Sequence, residues 1–199
     1  MLRAILLLAG LILQQDTSGF NSYEVHLDPV AMEGRCATDR FPDFRNHTYQ
    51  FRSDAPFFGP GSSVTLHRGV HTEHADGFAT WSASLDGRRR IRLGGERAMM
   101  LLIFVNHLLG SGSKTHLFIV RCRAERLETV FEAAGEGIYP QDGRGYSYSD
   151  SGELRVTHAV WRAEDCHACA SRQIDELYRW DVAADRFRLA KRSEGAVKP

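Results

Sequence analysis

Apolar and polar positions alternate in short segments along most of this chain from Ser62 onward. In Phe78 to Leu85 (FATWSASL), apolar residues stand at every second position from Ala79 to Leu85, which is the period of a β-strand with one buried face. We expect the face that carries Trp81 to be the buried one. Asp86-Gly87 then gives a turn signal, after which Arg90 to Leu93 is expected to return as the partner strand of a hairpin.

A longer apolar run extends from Met99 to Leu109 (MMLLIFVNHLL). Periodicity does not separate a buried strand from a buried helix in such a run, but the glycines before and after it favour a strand. Thr115 to Cys122 is also strand-like, so these two segments are expected to form a central hairpin. The other strand-like segments are Tyr23 to Leu27, Val64 to Arg68, Leu127 to Glu132, Leu154 to Trp161, Ile174 to Asp181 and Arg186 to Ala190.

Short strands separated by Gly and Asp turns predict a mainly β protein, built as an antiparallel sandwich, a barrel or a twisted sheet. An irregular N-terminal arm is expected before it, because prolines interrupt each short apolar stretch there. We divide the chain into a leader (1–19), an irregular N-terminal segment (20–61), a β-rich domain (62–191) and a flexible tail (192–199).

The leader has the layout of a secretory signal peptide. Arg3 precedes an apolar run from Ala4 to Leu13, and Thr17 and Gly19 are small residues at the positions that signal peptidase prefers. The run is shorter than the roughly 20 apolar residues that span a bilayer. We expect cleavage before Phe20 and a secreted or periplasmic protein that has no membrane contact afterwards; a buried helix and a retained anchor are the alternatives.

The overall charge argues against nucleic acid or an anionic membrane as the partner. Lys plus Arg and Asp plus Glu both number 25, so the formal net charge is zero, and no global positive field attracts nucleic acid or an anionic membrane. Arg88-Arg89-Arg90 forms a local run beside Asp86-Gly87. We interpret this run as a solvated turn that alternates into a strand.

The four cysteines are expected to be paired, because an exported chain meets an oxidising compartment. Of the three possible pairings we favour Cys36 with Cys122 and Cys166 with Cys169, since the second pair is already local in sequence. A bridge that closes so short a loop contributes little stability.

Cys166-His167-Ala168-Cys169 has the spacing of a redox dithiol, of half a zinc site or of a structural bridge. If Ala170 to Trp180 is helical, the segment resembles a thioredoxin active site, where a helix N-terminus lowers the pKa of the first thiol. A thioredoxin fold then continues through a strand pair and a helix, whereas little chain follows Asp181 here. A zinc site needs four ligands, and no second close Cys pair exists in the sequence. We favour the structural bridge and keep the redox interpretation as the alternative.

Three histidines, His67, His71 and His74, are the candidate metal ligands. On a helix His71 and His74 share a face on which zinc or copper binds. Gly69 and Asp76-Gly77 argue against a helix, so a polar hairpin loop is the preferred interpretation and no metal is expected.

The remaining motifs do not indicate catalysis. Gly110 to Thr115 lacks the glycine positions of a phosphate-binding loop, and no GxSxG sequence occurs. The paired carboxylates of Glu132 and Glu136, and of Asp175 and Glu176, are expected to be solvated.

Together these patterns predict an exported, β-rich binding or structural module without catalytic residues or a cofactor. Its partner is expected to be a protein or a surface polymer, not nucleic acid. The alternative is an extracytoplasmic thiol–disulfide redox protein that uses Cys166 and Cys169.

Overall fold

The computed structural model describes residues 23–37, 40–52, 62–75, 78–108, 112–135, 145–160, 162, 165 and 170–196. This part of the chain is nearly all β, and its one helix is a short 3-10 turn at Phe44–Asn46. The strands, in chain order, are β1 Glu24–His26, β2 Val30–Arg35, β3 Thr48–Gln50, β4 Ser63–Thr65, β5 Val70–Ala75, β6 Phe78–Leu93, β7 Glu96–His107, β8 Gly112–Arg123, β9 Arg126–Gly135, β10 Tyr146–Tyr148, β11 Glu153–Val160, β12 Arg172–Asp181 and β13 Arg186–Ala196.

Three antiparallel sheets lie in layers. The middle sheet has seven strands in the order β1-β9-β8-β7-β6-β5, with β2 also paired to β9. One of its faces packs on a four-stranded sheet, β10-β11-β12-β13, and the other on the two-stranded sheet β3-β4 and the N-terminal segment. The mainly β, antiparallel fold predicted from the sequence is confirmed, in a layered and open form.

The central strands of the middle sheet are buried on both faces. On β8, Leu117 and Ile119 pack towards the four-stranded sheet, while Phe118 and Val120 pack towards the N-terminal segment. A strand covered on both sides needs no polar alternation, which explains the uninterrupted apolar run that forms β7. The predicted strand, and its hairpin with β8, are confirmed, and Ala83 of β6 is fully buried on the face expected for it.

Asp86 and Gly87 do not form the predicted turn. The strand β6 continues through them, and its ladder with β7 shifts register between Leu85 and Gly87. Asp86 is therefore the extra residue of a β-bulge, and the predicted hairpin between the two halves of β6 is wrong. The turn lies at Gly94-Gly95, where φ values of +55 and +96 suit the two-residue hairpin turn that glycine favours.

Both ends of the described chain contain more strand than expected. The strand predicted near Tyr23 to Leu27 is β1. Two further strands, β2 and β3, lie in the segment that was expected to be irregular. At the other end β13 reaches Ala196, which pairs with Arg172. The flexible tail predicted from residue 192 is therefore strand as far as Ala196, because β12 is long enough to pair with it.

Candidate functional site

A groove of about 890 Å³ runs along the second half of β6. It begins beyond the point where β6 loses its neighbour β5, whose ladder ends at the pair Val70 and Ser84. One wall is the N-terminal segment that carries the 3-10 helix, and the other is formed at the end of β10. We call it the arginine groove, because six arginines line it: Arg40, Arg88, Arg89, Arg90, Arg92 and Arg97.

The strand register gathers four of these arginines on one face. Arg90 pairs with Met99, whose side chain belongs to the apolar cluster beneath the N-terminal segment. Side chains two residues apart on a strand share a face, so Arg88 and Arg92 lie on this side as well. Arg97 stands directly opposite Arg92 on β7. Like charges that face each other across a ladder are destabilising, so an anion between them relieves a repulsion that the fold itself creates.

Local hydrogen bonds fix the wall formed by the N-terminal segment. Asp43 caps the 3-10 helix by accepting from the Arg45 backbone N–H (3.1 Å) and from Asn46 Nδ2 (2.7 Å). These two hydrogen bonds lower the pKa of Asp43. The Tyr49 hydroxyl donates to the Phe44 carbonyl oxygen at 2.7 Å, and both rings are buried. The wall is therefore held in place before any ligand binds.

A disulfide between Cys36 and Cys122 ties the same segment to β8. The two Cα atoms are 5.8 Å apart, and the residues are separated by 86 positions in sequence. Close by, the Cys36 backbone N–H donates to the Glu125 carbonyl at 3.2 Å. The predicted pairing of these two cysteines is confirmed.

The opposite wall is held by Tyr148. Its hydroxyl donates to the Arg92 carbonyl oxygen, which joins β10 to β6. Burial, and to a lesser extent the charge of Asp150, raise the pKa of this hydroxyl, so it stays protonated and remains a donor. Asp150 also lines the groove, where it is the single carboxylate among the lining residues that the structure describes.

Positive charge predominates in the described part of the arginine groove. All six arginines are exposed, and among the described residues none of them is engaged in an ion pair. Arg92 makes one hydrogen bond, from Nη1 to the Gly95 carbonyl at 3.3 Å. The charge of Arg88 contributes to the lowered pKa of Asp43, so one more acidic group lies near. Guanidinium groups bind carboxylates, phosphates and sulfates in bidentate geometry, which suits the groove to an anionic ligand.

The sequence interpretation missed this site. It took Arg88-Arg89-Arg90 as a solvated turn that alternates into a strand, because Asp86-Gly87 precedes the run. In the structure the whole sequence RRRIRL belongs to one strand, with Ile91 and Leu93 buried. Arg88, Arg90 and Arg92 lie on the opposite face.

The candidate redox pair, Cys166 and Cys169, lies outside the described residues, and its bridge stays a prediction. The helix expected for the redox interpretation, Ala170 to Trp180, is absent: β12 occupies Arg172 to Asp181 and pairs with β11 on one side and β13 on the other. The two strands predicted at Ile174 to Asp181 and Arg186 to Ala190 are confirmed instead, and they pair with each other as β12 and β13. Without that helix no N-terminal dipole lies where it was expected to lower the pKa of a thiol.

The three candidate histidine ligands do not form a metal site in the structure. His71 and His74 lie on β5, while His67 makes an isolated bridge just before it. The His71 ring stacks on Trp81 with centroids 5.0 Å apart, and its Nε2 is 3.3 Å from a Glu73 oxygen. Among the described residues no group of three His, Cys, Asp or Glu side chains is placed to bind a metal ion.

Several polar side chains that were assigned to loops or surface are buried instead. Lys114 and Thr115 lie within β8, so the glycine-rich sequence before them does not lead into a helix. Glu132 and Glu176, expected to be solvated, are also buried, which corrects that expectation. A buried carboxylate is stable only with partners, and each of these has them.

Glu132 is paired with a residue of the N-terminal segment. Arg52 donates to it from Nε at 2.9 Å, and His116 Nδ1 lies 3.8 Å from its other oxygen. Burial raises the pKa of Glu132, but hydrogen bonds from His116 and Arg52 outweigh it and lower the pKa below its ordinary value. Burial lowers the pKa of His116. This network locks the N-terminal segment onto β8 and β9.

Glu176 accepts hydrogen bonds from two tyrosines in the core. The Tyr23 hydroxyl donates at 2.8 Å and the Tyr178 hydroxyl at 2.5 Å, and Arg192 Nη1 lies 3.4 Å from the second oxygen. The His158 ring stacks on Tyr23 at 3.4 Å. The His158 ring is buried, and burial lowers its pKa to about 4.

The neutral state of His158 makes the fold sensitive to acid. The unfolded chain binds a proton at the ordinary histidine pKa near 6.5, whereas the folded chain resists it down to about 4. The part of the free energy of unfolding that depends on the neutral His158 ring is therefore fully present above pH 6.5 and is lost as the pH falls towards 4. This loss is about 3 kcal/mol.

We expect His158→Phe, which keeps the stacking on Tyr23, to lose less stability between pH 7 and pH 4.5 than the wild type does. Urea denaturation at both pH values measures this difference. His67→Phe, at an exposed histidine, is the control and should keep the wild-type pH dependence. If the wild type and His158→Phe lose the same free energy of unfolding between the two pH values, the neutral His158 ring is not the source of the acid sensitivity.

Within the described residues no helix is long and apolar enough to cross a membrane. Comparison with protein-family models, with curated proteins and with solved structures gave no significant match.

Proposed function

We propose that this protein is a binding module that holds an anionic ligand in the arginine groove. The observation that carries the proposal is the gathering of six exposed arginines around one groove in a chain of zero net charge. Since acidic and basic residues balance overall, this concentration is local and marks a particular surface.

The architecture favours binding over catalysis. Both walls are held by hydrogen bonds and the Cys36–Cys122 bridge, and a preformed site loses less entropy when its ligand binds. The groove residues that the structure describes supply cationic donors and apolar surface but no pair of titratable groups that is tuned for proton transfer. The buried carboxylates, Glu132 and Glu176, are engaged in structural networks.

The proposed setting is secreted or periplasmic. The leader-like first residues support it, and so does the Cys36–Cys122 bridge, because disulfides persist in oxidising compartments. The anionic partner is then an acidic protein or an acidic surface polymer.

Binding of an acidic polymer tests the proposal. We expect fluorescent poly-L-glutamate to bind the protein at low salt, and poly-L-lysine not to bind. The variant Arg88→Gln/Arg90→Gln/Arg97→Gln should bind poly-L-glutamate roughly a hundredfold more weakly, since three contacts of about 1 kcal/mol each are lost.

A charge-matched control uses arginines elsewhere on the surface. Arg35, Arg126 and Arg155 are exposed and do not line the arginine groove, so Arg35→Gln/Arg126→Gln/Arg155→Gln removes the same charge. This control should bind nearly as well as the wild type. An equal loss in both triple variants means that binding depends on overall charge, and the groove is then not the site.

A further inference from the structure

The backbone of β6 also points into the arginine groove. Leu93 and Glu96 flank the two-residue turn at Gly94-Gly95, and residues in this position exchange both main-chain hydrogen bonds. Along an antiparallel ladder, pairs that are hydrogen-bonded to each other alternate with pairs whose main-chain groups point outward. Arg92 and Arg90 therefore occupy positions whose N–H and C=O groups point away from β7.

The same alternation gives Arg88 an outward-pointing backbone. On this side of β6, β5 is paired only as far as Ser84, and the last contact there is Leu85 N–H to the Gly69 carbonyl at 2.9 Å. The Tyr148 hydroxyl donates to the carbonyl of Arg92, which agrees with a carbonyl that points away from β7. In the described chain no strand pairs with the outward edge of β6 between Arg88 and Arg92.

We propose that this edge binds an extended acidic peptide as an additional strand beside Arg88 to Arg92. This inference rests on the proposed function and identifies its ligand. The outward N–H groups of Arg88, Arg90 and Arg92 and the outward carbonyls of Arg88 and Arg90 supply main-chain donors and acceptors for a peptide, beside the Arg92 carbonyl that already accepts from Tyr148. The flanking guanidinium groups select negative side chains. An acidic polymer without a peptide backbone supplies the negative charges but not the main-chain hydrogen bonds.

The two faces of the edge specify the peptide. Arg88, Arg90 and Arg92 project on one face, two residues apart, so they match acidic residues at every second position of an added strand. On the other face Ile91 and Tyr148 are buried, and Arg89 lies two residues before Ile91. The expected ligand therefore has acidic residues at every second position, facing Arg88, Arg90 and Arg92, and an apolar residue facing Ile91 and Tyr148, over about 17 Å at about 3.4 Å per residue.

N-methylated peptides separate strand addition from charge attraction. The probe is a synthetic peptide of alternating Glu and Val, and the comparison peptides carry N-methyl groups either on every Glu or on every Val. Only one of these two sets of N–H groups faces β6, so we expect one methylated peptide to lose binding at least tenfold and the other to retain it. Charge and length are the same in all three.

A pair of protein variants tests the same contact from the other side. Arg90→Pro and Arg90→Gln remove the same charge, but proline also removes the outward N–H. Proline is tolerated at an edge position whose N–H is not used by the neighbouring strand. We expect Arg90→Pro to bind the Glu-Val peptide at least tenfold more weakly than Arg90→Gln does, with both variants folded by circular dichroism.

The outcomes separate this inference from the proposed function. If both methylated peptides and heparin bind as tightly as the parent peptide, the groove binds anions but not a strand, and only the inference fails. If neither the parent peptide, heparin nor poly-L-glutamate binds, both fail. Loss of binding in one methylated peptide, with poly-L-glutamate still dependent on the groove arginines, supports both.

Discussion

Replacing Cys36 and Cys122 together by alanine is expected to lower the free energy of unfolding by about 4 kcal/mol. The bridge closes a loop of 86 residues. Without it the unfolded chain gains conformational entropy, which stabilises the unfolded state by about 4.5 kcal/mol. Cys36 is also buried in the core beneath the N-terminal segment. Urea denaturation under non-reducing conditions measures the change.

The variant Cys166→Ser/Cys169→Ser is the natural comparison. Any bridge between these two residues closes a very short loop, so its loss should cost clearly less than loss of the Cys36–Cys122 bridge. Ligand binding should weaken in the first variant, because the bridge fixes one wall of the arginine groove, and remain in the second. Equal stability losses in the two variants contradict this account of the long-range bridge.

Replacing Arg121 by methionine is expected to destabilise the protein by about 3 kcal/mol. Its buried guanidinium donates to both Asp185 oxygens at 2.5 and 2.7 Å and to Glu128 at 3.1 Å, and it lies 5.5 Å from the centre of the Trp180 ring. The substitution removes these charge-assisted hydrogen bonds from the buried guanidinium and its contact with Trp180, which together cost roughly 3 kcal/mol, while Asp185 keeps Arg123 as a partner. Arg121 connects the middle sheet to the β12–β13 turn. Its replacement is therefore expected to weaken the packing of the four-stranded sheet on the middle sheet.

Two further variants test this interpretation of Arg121. Arg121→Lys keeps the charge but not the two-pronged geometry, so its destabilisation should be intermediate. Arg179→Met breaks a comparable ion pair with Glu153 at the surface, and exposed pairs contribute less than about 1 kcal/mol. Thermal and urea unfolding of the three variants give the ranking. If Arg179→Met is as damaging as Arg121→Met, burial is not the source of the effect.

Local patterns predicted the strands well. The apolar run that forms β7 and the alternating segments that form β11 and β12 are determined by burial of one or both faces of a strand, and burial leaves a periodic trace in the sequence. The turn at Asp86-Gly87 failed because a bulge and a turn accept the same residues. Only the neighbouring strand β7, which continues to pair past this point, distinguishes them.

The site was less accessible to sequence reasoning because distant segments build it. Arg97 comes from β7, Arg40 from the N-terminal segment and Tyr148 from β10, and no local pattern indicates that they meet. The same holds for the buried acids. Glu132 meets Arg52 across 80 residues and Glu176 meets Tyr23 across 153 residues, so each looks like an ordinary surface carboxylate in its own segment.

The pairing of β1 and β2 with β9 has a consequence for the order in which the molecule forms. The first strands of the described chain have no neighbour in sequence to pair with, and their partner follows only after β3 to β8. A chain that emerges from its N-terminus keeps these strands unpaired until most of it is available. Such distant closure makes folding slow, so the edges of β1, β2 and their partner β8–β9 hairpin stay exposed longest, and this is the interval in which unpaired strand edges favour association between chains.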